Sequence, residues 1–209
     1  MDGPQIRRPR LRPIGPAPMT LTKLTVARAQ LVTALDMFVR NKDPVSIQCL
    51  ACGGGEITEA LAEGQGEESF VSFIISDQPH MDRKQIRKVK NQYWNAFKHA
   101  TTHKGMARED DELLAQFSDL NNDVALFLGW WDYIVIQKRL PIAAQVFQAW
   151  WFALNEDKVA PDADLSMVRT AFPDIRRQPR TEQKRRLRRS IEKYRNNREI
   201  ISDPATEVD

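Results

Sequence analysis

The chain has 209 residues, 42% hydrophobic and 28% charged, enough to bury one core but short of two full domains. No apolar run reaches the length of a membrane span, the arginine-bearing N-terminus lacks the apolar segment of a secretory signal, and two cysteines make no disulfide framework, so a cytoplasmic protein is expected. The net charge of +3 hides a partition: residues 176–198 carry nine arginines and two lysines against only Glu182 and Glu192, residues 199–209 carry carboxylates alone, and the stretch 20–175 is mildly acidic.

Residues 1–19 hold five prolines and four arginines and little to bury, which predicts a disordered arm. Thr20 or Thr22 can cap a first helix whose Leu24, Ala27, Leu31, Leu35 and Phe38 recur at helical spacing and which ends near Arg40–Asn41. Asp43-Pro44 restarts the chain as a second, antiparallel helix with Ile47, Leu50, Ala51, Gly54, Ile57 and Leu61 on one stripe. Gly53-Gly54-Gly55 breaks the helix-propensity rule inside it. The run matches no phosphate-loop spacing, so close approach of another backbone, or a local kink, is the expected reason. Gly64-Gln65-Gly66 ends this helix, and the apolar run 69–75 reads as a helical turn or an ordered connector.

The segment Asp82–His103 divides into two faces when wound as one helix. Ile86, Val89, Tyr93, Phe97 and Ala100 form an apolar stripe expected in the core, and Lys88, Asn91, Asn95, His99 and Thr102 form a polar face able to bind or catalyse. An acidic connector, Glu109–Phe117, leads to a long helix capped by Asn121 or Asn122, with Val124, Phe127, Trp131, Ile134 and Val135 expected inside. Pro141 opens a helix with Val146, Ala149, Trp150 and Ala153 on one face, and Leu165, Val168 and Phe172 mark a short one. After Pro179, residues 181–197 form a helix so basic that only Leu187, Ile191 and Tyr194 offer an apolar edge.

Five tryptophans suggest helix packing before any ligand cage, with Trp94 at a seam between helices or subunits. Cys49-x-x-Cys52 and His99-x-x-x-His103 have zinc-ligand spacing, yet 46 residues separate the pairs and the two thiols fall among buried positions. Packed cysteines and exposed histidines are expected, with no metal and no cofactor. The basic helix can act as a salt-sensitive clamp on polyanions through Arg185, Arg186, Arg188 and Arg189, or can dock on the acidic bundle through its apolar edge.

Asn95-Ala-Phe-Lys-His-Ala100 resembles an N-x-F-K-H-A signature of small uncharacterised bacterial helical proteins. The layout over residues 22–155 is also similar: two antiparallel helices, the signature helix, an acidic connector, and helices ending in Phe147-Gln-Ala-Trp150-Trp151. More remotely the bundle resembles HEPN-type domains, many of which are dimeric, metal-independent ribonucleases with an arginine, a polar residue and, after an intervening stretch, a histidine. The resemblance implies His103 or His99 as general acid or base toward a ribose 2′-hydroxyl, Lys98 stabilising phosphate charge and Asn95 positioning it. This chain departs from the motif, since Lys98 stands where an arginine is required and lacks the two-pronged guanidinium.

The sequence thus predicts an all-α bundle of five or more helices in three parts: the arm 1–19, a bundle domain 20–160 and a basic helical tail 161–209. It is expected to act as a homodimeric, HEPN-like binding module whose tail contacts nucleic acid, with an endoribonuclease of toxin or phage-defence type as the alternative and no membrane partner.

Overall fold

Thr22 and Thr25 cap each other reciprocally, the hydroxyl of each accepting the other's backbone N–H, and this starts α1 (Lys23–Val39). Asn41, at φ 55°, breaks the helix. The Asp43 carboxylate then accepts the Ser46 N–H at 2.7 Å and Pro44 opens α2 (Pro44–Gly64). The computed structural model describes residues 21–208, so the disordered arm expected over 1–19 lies outside it.

The glycine run of α2 marks where helices meet most closely. A Cβ on Gly54 would lie 2.8 Å from Leu31 Cγ and 3.0 Å from the Ala27 carbonyl oxygen of α1. On the other side, Gly55 faces Gly129 of α6 (Leu120–Gln137), where an added Cβ would come within 3.5 Å of the Gly129 backbone. Thr58 donates to the Gly129 carbonyl at 3.3 Å and closes this crossing. α2 therefore lies between α1 and α6, backbone against backbone, as expected for an unbroken glycine-bearing helix.

The run after Gly66 forms a full short helix, α3 (Phe70–Asp77), capped by Ser69. Next comes α4 (Arg83–Lys98), where two expectations are corrected. The apolar stripe is not the packed face: of its members only Tyr93 is buried, Val89 is 65% exposed, and Ala100 lies beyond the helix end. Arg83, Arg87 and Lys90, spaced four and three apart, turn instead toward α2, where Glu59 and Glu63 hold them in ion pairs. The carboxylates of α2 rotate α4 away from the orientation its own apolar residues suggest. Tyr93 and Phe97 still find aromatic cover, with ring centroids 5.2 and 5.0 Å from Phe117.

The acidic connector holds one turn, α5 (Asp111–Leu114). The inward face of α6 is also corrected. Val124 is 47% exposed, whereas Asn122, Asp123, Leu126, Trp130, Asp132 and Tyr133 are buried. α6 is packed on most of its circumference, so a single stripe does not describe it. α7 (Ile142–Leu154) supplies Phe147 and Trp150 edge-on to Phe38, and Trp151 stacks on Phe127 with centroids 3.7 Å apart. The tryptophans do pack between helices, and Trp94 lies half-buried at the edge of the core.

α8 (Ser166–Ala171), α9 (Arg180–Tyr194) and α10 (Arg198–Ile201) complete the helices among the described residues. Leu187 and Ile191 of α9 belong to the same core as α1 and α7, so the tail expected to begin at residue 161 is continuous in packing with the bundle. Two strands of two residues each, β1 (Leu140–Pro141) and β2 (Thr206–Glu207), pair in parallel, and the fold is all-α. Among the described residues no helix is long and apolar enough to cross a membrane.

Candidate functional site

α4 stops before its polar constellation is complete. Lys98 is its last helical residue, and His99, in extended conformation, caps it by donating its backbone N–H to the Asn95 carbonyl at 3.2 Å. The chain then reverses in a small hairpin. Thr101 bridges Ala107, the Thr102 N–H reaches the Met106 carbonyl at 2.8 Å, and Gly105 at φ 77° makes the turn. The spacing His99-x-x-x-His103 therefore does not place two imidazoles on one helical face, because His103 is in the hairpin. The β-branched pair Thr101-Thr102 followed by Gly105 was the sequence signal for this turn.

The structure does not gather the four candidate catalytic residues. Lys98 Nζ lies 3.6 Å from the Trp94 ring centroid in a cation–π contact. His99 and His103 are exposed and Asn95 half-buried, and among the described residues no hydrogen bond or ion pair joins these side chains. The shallow cleft beside the hairpin is lined by Thr102, Met106 and Arg108, and none of the four borders it. The cysteines are equally remote from zinc chemistry. Cys52 is buried beside Gln48, whose amide lies 3.2 Å from its sulfur, and burial pushes its thiol up to about 12. Among the described residues no group of three or more His, Cys, Asp or Glu is arranged to hold a metal ion.

The basic helix is positioned by charges that sequence reasoning missed. Arg180 donates to Asp119 at 2.8 Å and to both oxygens of Asp123, and Lys184 Nζ reaches Asp119 at 2.5 Å. The Arg180 guanidinium lies 5.2 Å from the Phe38 ring centroid and 5.5 Å from that of Trp150, while Lys184 lies 4.1 Å from Phe38. Burial raises Asp123 to about 6 against the pull of Arg180, and burial lowers the Lys184 ammonium. Asp119 is also pushed up by burial, but hydrogen bonds from Lys184 and Arg180 outweigh this and hold it below its usual range. Arg180 and Lys184 share a helical face with Leu187 and Ile191, and Asp119 and Asp123 are one turn apart. That periodic match was the available signal.

With that face turned inward, Arg185, Arg188 and Arg189 of α9 point outward. Arg185 is exposed and pairs with Glu182, its Nη2 2.7 Å from the carboxylate. Arg186, half-buried, donates to the same carboxylate and to the Pro173 carbonyl. Arg188 is 3.7 Å from Glu192, and Arg189 is exposed with no ion-pair partner among the described residues. The structure thus brings Arg185, Arg188 and Arg189 to one exposed side and withdraws Arg186.

A second buried charge lies under α3. Asp132 is 1% exposed; its Oδ1 accepts the Phe70 N–H at 2.7 Å and its Oδ2 has no partner. Burial raises its carboxyl to about 7, with Glu59 and Glu63 adding to the shift and Lys90 opposing it. An aspartate inside an apolar heptad gives no sequence signal of this kind, because its partner is a backbone amide 62 residues away.

Comparison with protein-family models, with curated proteins and with solved structures gives no match.

Proposed function

We propose that this chain is a binding module that holds nucleic acid by its phosphates on the outward side of α9. The observation that carries the reading is the division of labour on that helix. Arg180 and Lys184 are committed to internal carboxylates, while Arg185, Arg188 and Arg189 are held exposed on a docked, ordered helix. A fixed row of guanidiniums releases counterions on meeting phosphates without choosing a sequence. Glu182 and Glu192 temper the row, which favours weak, salt-sensitive binding over tight recognition.

The HEPN-like relationship and self-association as a homodimer belong to the same proposal, supported by the signature on α4 and the helical layout. The ribonuclease alternative has less support, because Lys98 is engaged with Trp94 and His99 and His103 lie on different elements.

Gel-shift titration of a short RNA and a short DNA against wild type and the triple variant Arg185→Glu, Arg188→Glu, Arg189→Glu tests the reading. Wild-type affinity should fall steeply between about 50 and 200 mM salt, and the variant should bind at least about tenfold more weakly with a shallower salt slope. Equal binding by a variant with unchanged melting would overturn it. Truncation before α9 is unsuitable as a test, because it removes Leu187 and Ile191 from the core.

A further inference from the structure

Where α9 docks beside α1 and the start of α7, the helices do not close completely. A cleft of about 220 Å³ remains. Its walls are aliphatic: Val32, Leu35 and Val39 from α1, Ala143 and Ala144 from α7, and Ile191 from α9. Trp130 of α6 also lines it, and its buried indole N–H has no acceptor. Pro141, three guanidiniums, those of Arg40, Arg188 and Arg195, and two carboxylates, those of Asp36 and Glu192, complete the lining.

The charges are unequally committed. Arg40 grips Asp36 through Nε, at 2.8 and 2.9 Å to the two carboxylate oxygens. Arg188 reaches Glu192 only at 3.7 Å, and Arg195 is exposed with no ion-pair partner among the described residues. An apolar slot with underused guanidiniums suits an amphipathic anion, because the fork of an arginine matches a carboxylate while aliphatic walls exclude water from a hydrocarbon tail. Trp130, the aromatic residue of the lining, is fully buried and offers no face for stacking a nucleobase; Arg188 is shared with the phosphate-binding row proposed above, whereas Arg195 is not part of that row.

We propose that this cleft is a ligand site for a short aliphatic monocarboxylate, its tail between α1, α7 and α9 and its carboxylate against Arg195 and Arg188. The volume sets the size. At about 30 Å³ per water-sized group the cleft takes roughly seven groups, which matches a five- or six-carbon chain. The ligand would touch all three helices at once and so tighten the docking of α9. Neither the nucleic-acid reading nor the HEPN-like reading is required for this proposal.

The test uses the full chain and hexanoate as the probe, with 1-hexanol as its neutral counterpart. Calorimetric titration should give a Kd of about 0.1–1 mM for hexanoate, modest because so few atoms make contact, and hexanol should bind at least about tenfold more weakly. Hexanoate at a saturating concentration should raise the thermal midpoint. Arg195→Gln should weaken hexanoate about tenfold, and Ala143→Phe, which fills the slot, should abolish binding. Arg195 is exposed, so Arg195→Glu supplies a safe second variant if Ala143→Phe does not fold. Absence of binding at 10 mM hexanoate, equal affinity for hexanol, or full affinity in the Arg195 variants would each overturn the proposal.

Discussion

At the scale of single residues, the glycines and the buried carboxylates carry the sharpest consequences. Gly54 and Gly129 each lack room for a methyl group, because Leu31, fully buried, already fills the space. Gly53 faces only the Gln30 side chain, with the nearest atom 3.3 Å from an added Cβ. Gly54→Ala and Gly129→Ala should therefore each destabilise the fold by about 1–3 kcal/mol, while Gly53→Ala should be neutral or gain up to about 1 kcal/mol. Urea denaturation of the three variants gives the order, and a loss at Gly53 as large as at Gly54 would contradict the packing described. Asp132 makes a pH-dependent prediction. Its folded carboxyl is raised to about 7 from an ordinary 3.8, so the folded state holds a proton that the unfolded state has released. Its stabilising contribution is present in full below about pH 4 and is lost as pH rises through about 7. Asp132→Asn keeps an acceptor for the Phe70 N–H and removes the titration. The variant should match wild type near pH 4 and exceed it at pH 8, by on the order of 1–3 kcal/mol. Parallel stability curves for the two proteins across that range would show that Asp132 ionises without penalty.

At the scale of elements, α4 and α9 show how charge decides the orientation of a helix with a marginal apolar edge. α4 offers Ile86, Val89, Tyr93 and Phe97, but Glu59 and Glu63 on α2 select Arg83, Arg87 and Lys90 as the facing residues and leave Val89 in solvent. α9 is more basic still, yet it packs, because Arg180 and Lys184 meet Asp119 and Asp123 above the rings of Phe38 and Trp150 while Leu187 and Ile191 fill the core. Removing one partner from such a network leaves a desolvated charge behind. Arg180→Ala should cost about 3–5 kcal/mol by orphaning Asp123, and part of that loss should be recovered in the double variant Arg180→Ala, Asp123→Ala. Additive effects in a double-mutant cycle would show that the two side chains act independently. The cost at Arg180 should also exceed that of Arg189→Ala, since Arg189 has no ion-pair partner among the described residues and surface changes of that kind stay within about 0.5 kcal/mol.

At the scale of the whole molecule, the last described residues close the fold onto its start. β2 pairs with β1, Gln145 donates to Thr206 at 2.8 Å, and the Glu207 carboxylate accepts from Arg28 of α1 at 2.5 Å and from the Tyr133 hydroxyl of α6 at 2.8 Å. Glu207→Ala leaves the hydroxyl of buried Tyr133 without its acceptor and should lower stability by about 1–3 kcal/mol, read as a fall in the thermal midpoint; an unchanged midpoint would mean that the clasp is ornamental. The sequence by itself determined the helical class, the cap at Asp43-Pro44 and the antiparallel α1–α2 pair, because caps, periodicity and propensity act within a few residues of one another; it left the glycine run open between a close approach and a kink, and the packing against Leu31 and Gly129 decided for the close approach. It also marked Leu187, Ile191 and Tyr194 as the edge by which a basic helix could dock. Only the tertiary structure decided which face of α4 and of α6 turns inward, since residues on other helices set the competition between apolar and charged stripes. The end of α4 at Lys98 separated His99 from His103, and the partners of Arg180, Asp132 and Glu207 lie 57, 62 and 179 residues away. For Asp132 and Glu207 no local pattern marks the partner, and for Arg180 the four-residue spacings on α6 and α9 mark two charged faces without saying that they meet, because each interaction requires the helices to have packed first.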